Sequence, residues 1–182
     1  MSRSQSDPSA AADVQPLRFA FYGATGPRLM RSLLRPDKRI EPAHLQQQRD
    51  LARARQVIAP SSGRIVAQYH DVCEHDLDRR AFAVWGRRSQ ARALIKDLSA
   101  DTFDAVVTAY GSHVFGQVSA WDVHRLLSLH RKQLWLGHID GPLDPDNPEH
   151  ELTLRIFSAD HKPAKACPYR CFGIHHPSTN PG

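Results

Sequence analysis

The chain has 182 residues, with 24 Lys plus Arg against 19 Asp plus Glu, a formal charge of +5 and 41% hydrophobic residues. That mixture is ordinary for a globular protein and excludes a collagen, a long coiled coil and a disulfide miniprotein, and a chain of this length can bury a core without covalent or metal staples. The charge is unevenly spread: residues 28–55 carry eight bases and three acids, 79–96 carry six bases and no acid, and 133–160 carry six acids against Arg155 alone.

Residues 1–16 are small and polar and are expected to form a disordered arm. The run LRFAFY (17–22), bounded by Pro16 and Gly23, reads as a first strand. Pro42 opens a helix to Ile58 with Leu51, Ala54 and Ile58 on one face, and the turn PSSG (60–63) stops it. RIVAQYH (64–70) is a second strand. Ala91, Leu94, Ile95 and Leu98 then stand at i, i+3, i+4 and i+7, which predicts a helix over 89–98.

DAVVTAY (104–110) is a β-rich, near-continuous apolar run, suited to a strand covered on both faces. Ser119 followed by Asp122 reads as a capping box for a helix to His130 that buries Trp121, Val123, Leu126 and Leu127. QLWL (133–136) is a fourth strand. Asn147 as cap, Pro148 in the first helical position and Glu149 in the first turn start a last helix to about residue 159. Four prolines and no apolar period make 161–182 a flexible tail. Strands alternating with helices imply βαβ units: one three-layer α/β domain over 17–160, with a mostly parallel sheet of four to five strands.

No run of 18 apolar residues and no secretory leader is present, so neither a membrane span nor export is expected. Cys73, Cys167 and Cys171 form an odd set without framework spacing, which fits free thiols and a cytoplasmic location.

Open parallel sheets bind ligands at the C-terminal ends of their strands. Three segments sit there: GATGP (23–27), DVCEHD (71–76) and GSHVF (111–115). The first is similar to the glycine-rich turn of extended short-chain dehydrogenases, which implies an NAD(P)-binding oxidoreductase as an alternative. Leu29 replaces its third glycine, and Asp71 lies far beyond the spacing expected for a ribose-binding acid, so a tight turn at Gly23 and Gly26 without a cofactor is the better account. His70, Asp71, Cys73, Glu74, His75 and Asp76 are metal-ligand types without ligand spacing. Cys167, Cys171, His175 and His176 have the right number for zinc, but too little chain lies between the pairs to build a fold. No cofactor and no metal is expected.

Taken in order, LRFAFYG, Asp71-Val72, WGRRSQARALI (85–95), FDAVV (103–107) followed by Phe115, and QLWL with Asp144-Pro145 and His150-Glu151-Leu152 behind it resemble the N-terminal catalytic domain of resolvase/invertase-type serine recombinases, the actinobacterial branch in particular. The resemblance implies a serine, two residues after a strand-end arginine, that attacks a DNA phosphodiester to give a phosphoserine bond. Arginines from several strand ends would neutralise the phosphoryl oxygens without metal or nucleotide. On this chain Tyr22, Asp71, Arg87 and Arg88 match the family's site positions and Phe115 is kept. The arginine position holds Ala24 and the nucleophile position Gly26; His75 and Asp76 stand near the family's Ser-Arg pair, and His113 replaces a further arginine.

The resemblance therefore implies a recombinase-type protein with a degenerate active site, impaired in strand cleavage. It would at most bind duplex DNA or join a homo- or hetero-oligomer with an active recombinase. Arg87 and Arg88 are expected to face the strand ends near Asp71 and to contact phosphate, and their joint removal to leave stability unchanged or raised, because two cations before a helix start oppose its dipole.

Overall fold

A computed structural model describes residues 15–25, 43–72, 84–110 and 112–158. Gly26, the cluster from Cys73 to Asp76, the tail ligands Cys167, Cys171, His175 and His176, and most of the expected arm lie outside the described residues.

Four strands, β1 (Arg18–Thr25), β2 (Arg64–Val72), β3 (Ala105–Thr108) and β4 (Gln133–Leu136), alternate with helices α1 (Ala43–Ile58), α2 (Ser89–Asp97), α3 (Ala120–Leu129) and α4 (Pro148–Ser158). The sheet order is β2-β1-β3-β4 and every pair is parallel. A fifth strand is not formed among the described residues. In its place Pro142 makes one antiparallel bridge to Trp135, and the Leu143 amide donates to the Leu134 carbonyl at 2.7 Å, which covers the outer edge of β4.

The period of two along each strand sorts the core into two layers. Phe19 and Phe21 of β1, Ala105 and Val107 of β3 and Trp135 of β4 face α1, where Ala54 and Ile58 meet them. Ala20, Tyr22, Val106, Leu134 and Leu136 face the other way, onto Ala91 and Leu94 of α2, Leu126 and Leu127 of α3 and Leu154 of α4. Val106 and Val107 are fully buried on opposite faces of a central strand. Burying each side chain of this size is worth about 1.5–3 kcal/mol, so a sheet covered on both faces is the main source of stability.

Two helix starts follow from local chemistry. The Ser119 hydroxyl accepts from the Asp122 amide at 3.1 Å and donates to the Asp122 carboxylate at 2.8 Å. Asn147 accepts from the Glu149 amide at 2.9 Å, with Pro148 opening α4. β1 differs from expectation, because Gly23, Ala24 and Thr25 do not turn. They continue the strand in register with His70, Asp71 and Val72. A residue without a side chain is needed at Gly23 because a β-carbon there would stand 2.5 Å from His70 Nδ1 and 2.9 Å from Phe21 Cζ.

Candidate functional site

In the order β2-β1-β3-β4 the chain leaves β1 toward β2 on one side and adds β3 on the other, so the topological switch point lies at the C-terminal ends of β1 and β3. Tyr22 lies in β1, three residues before its end, on the face toward α2. The aromatic rings around it fix its position: Trp85 meets it edge-on at 5.4 Å, Phe115 stacks on it at 6.0 Å, and Trp85 and Phe115 meet edge-on at 5.5 Å. All three side chains are fully buried.

The Tyr22 hydroxyl donates to Asp71 Oδ2 at 3.1 Å and accepts from Arg88 Nη1 at 3.1 Å. Asp71, at the end of β2, also accepts from the backbone amides of Gln90 at 2.9 Å and Ala91 at 3.0 Å and from the Ser89 hydroxyl at 3.3 Å. A carboxylate on the first amides of a helix satisfies donors that have no intrahelical partner and complements the positive end of the dipole. The residue at the N-cap position of α2, Arg88, supplies no side-chain cap of its own. Asp71 caps the helix from another element.

Arg88 is buried, 5% exposed, and its guanidinium also donates to the Val114 carbonyl, tying the start of α2 to the turn after β3. Arg87 beside it is exposed. The two arginines therefore have different surroundings: Arg88 is engaged within the protein near Asp71 through Tyr22, and Arg87 is open to solvent. Burial pushes the Tyr22 phenol well above its ordinary value, with Asp71 adding to the shift and Arg88 opposing it, so Tyr22 is a neutral hydrogen-bonding bridge between a cation and an anion.

Ala24, on the same side of β1 as Tyr22, pairs in register with Asp71 and packs its methyl group against the core. It offers no hydrogen bond to a ligand. The side chain of His113 lies outside the described residues. Among the described residues no three His, Cys, Asp or Glu side chains come together to hold a metal, and no helix is long and apolar enough to cross a membrane.

One pair was not legible in the sequence. On the α1 side of the sheet, Thr25 Oγ1 and His70 Nε2 share a hydrogen bond of 2.9 Å. Thr25 and Gly23 are in phase with Phe19 and Phe21, which places them on that face, but which residue of β2 stands opposite depends on the strand register.

No protein-family profile matches the chain, and no curated protein does. Solved structures do. The N-terminal catalytic domain of TP901-1 integrase superposes with a TM-score of 0.50 at 13% identity, over 78% of this chain and 92% of that one. A resolvase family site-specific recombinase from Streptococcus pneumoniae gives 0.47 at 11% identity over 79% and 84%, and the C-terminal catalytic domain of ISC1926 TnpA, an IS607-like serine recombinase, gives 0.46 at 10% over 66% and 70%. The first of these carries the assignment, and at such identity it speaks for the fold: the chain has the α/β fold of a serine-recombinase catalytic domain.

Proposed function

We propose that residues 17–160 form a serine-recombinase-like domain that binds duplex DNA and does not cleave it, acting alone or beside an active recombinase. The observation that carries this reading is the fate of the cationic positions at the strand ends. Ala24 is packed into the core, and Arg88 spends its guanidinium on Tyr22 and Val114. With glycine at position 26, there is no hydroxyl at the matching position to form a phosphoserine, and transition-state charge on the phosphoryl oxygens would lose preorganised donors, each worth a factor of about 100 to 1,000 in rate. Exposed Arg87, with Arg49, Arg53 and Arg55 exposed on α1, supports backbone contacts in which phosphates are neutralised without sequence readout.

Fluorescence anisotropy with a labelled duplex, titrated at several salt concentrations, tests the binding half. Affinity is expected to fall steeply as salt rises, and Arg87→Ala to weaken it and reduce the slope by about one. Incubation with supercoiled plasmid followed by denaturing separation tests the other half, with no covalent protein–DNA adduct expected. An adduct at any residue overturns the claim of inactivity. The oxidoreductase alternative predicts a rise in melting temperature with NAD(P). Gly23 to Thr25 lying within β1 speak against it, since the dinucleotide turn must leave the strand there.

A further inference from the structure

Asp71 and its neighbour in β2, His70, project to opposite faces of the sheet, and the His70 ring is held from several directions. It lies parallel to the Phe21 ring at 6.4 Å, it passes close over Gly23, and its Nε2 is bonded to Thr25. Nδ1 is buried and has no hydrogen-bond partner among the described residues. A neutral imidazole carries one N–H, whereas an imidazolium carries two and needs two acceptors; among the described residues the ring is hydrogen-bonded to the Thr25 oxygen alone.

Among the described residues the charged and titratable groups of the neighbouring elements do not supply the second acceptor. β1 contributes only the Thr25 hydroxyl. β2 contributes Asp71, whose carboxylate is on the far face with Tyr22 and favours the proton through its charge. α1, on the same face of the sheet, carries buried Asp50 and, exposed in its first turn, His44, and neither is hydrogen-bonded to Nδ1. Burial outweighs the field of Asp71, and the His70 pKa is lowered.

We infer that His70 is a positioning residue for the Tyr22–Asp71–Arg88 site, holding the end of β2 in place while its ring is neutral and loosening it when the ring takes a proton. A protonated ring must move toward water to hydrate its second N–H. The backbone that moves with it carries Asp71, and with Asp71 go the cap of α2 and the bridge to Arg88. The inference deepens the reading of that site as the functional one, but the assembly of the site can be followed without DNA.

Amide exchange at Gln90 and Ala91, whose N–H groups Asp71 holds, reports the cap directly. Measured at pH 7.5 and 5.5, corrected for intrinsic exchange and referred to the amides of Leu126 and Leu127 in α3, protection at these two positions is expected to drop severalfold in the native chain, with about tenfold as the ceiling set by an ordinary His value near 6.5 in the loosened form. It should stay level in His70→Gln, which keeps a polar group for Thr25 and cannot titrate. Equal losses in the two proteins overturn the inference. If His70→Gln does not fold, the C2 proton of His70 in the native chain decides. A midpoint below about 6.5, shared by the Gln90 and Ala91 amide shifts, supports the inference, and amides that do not follow the ring overturn it. Duplex binding measured alongside separates the two claims: absence of binding at both pH values fails the DNA reading, while the exchange result alone judges His70.

Discussion

Arg87 and Arg88 are adjacent, chemically identical and equally unfavourable before a helix start, yet the structure gives them different work. The buried guanidinium of Arg88 is balanced by Asp71 through a phenol and satisfied further by a backbone carbonyl. Removing Arg88 takes a buried donor away from the Tyr22 hydroxyl and the Val114 carbonyl and leaves a cavity, which is an expensive change. Arg88→Ala is expected to lower the unfolding free energy by about 2 to 4 kcal/mol, and Arg87→Ala to change it by no more than about 0.5 kcal/mol, both read from urea midpoints at constant slope. The expectation from the sequence, that losing both leaves stability unchanged or raised, weighed only the opposition of two cations to the helix dipole. It does not survive the burial of Arg88, whose charge is offset by a residue 17 positions earlier that no local rule connects to it.

At the level of elements, legibility depended on whether the determinant was local. The caps of α3 and α4 lie within a few residues of the helices they serve, and Ser119, Asp122, Asn147 and Pro148 announced them. The cap of α2 comes from the end of another strand and was read only as an aspartate matching a family position. Because Asp71 both caps α2 and accepts from Tyr22, Asp71→Ala should cost more than the usual cap loss of about 1 kcal/mol and should raise amide exchange in the first turn of α2 before it affects α3; loss of protection spread evenly over both helices would count against the assignment. The end of β1 was misread for a related reason. A glycine after an aromatic run normally signals a turn, but Gly23 here serves a close approach by His70 inside the strand.

Taken as a whole, the molecule has the layers and the nearly all-buried central strand that the alternation of periods predicts, because burial on both faces of a parallel sheet imposes that pattern on any sequence that folds this way. Its acid response should show two separate losses. His70 has a native pKa below its ordinary value, so the stability it permits is complete above about pH 6.5 and declines as pH falls toward the native value. Asp104 is held below the usual carboxylate range, chiefly by its hydrogen bond from Arg18; its contribution is present above the ordinary Asp value near 3.9 and is lost in more acid solution. Melting temperatures from pH 8 to pH 3 should therefore fall in two stages, and His70→Gln should remove only the first. A single-stage decline unchanged by that substitution would reject the assignment. The contact between Arg18 and Asp104 also fixes when the protein can fold during synthesis. The two residues are 86 positions apart, and Phe19, Ala20 and Phe21 find their second strand only at Ala105, Val106 and Val107. Of the four described strands, the first to leave the ribosome is thus an inner strand of the sheet. Until β3 emerges it has at most β2 beside it, a two-stranded ribbon too small to be stable alone, and Phe19 and Phe21 have no completed layer to enter. A cell making this chain must keep the apolar aromatic segment around Phe19 and Phe21 from other partners until Val107 has been translated.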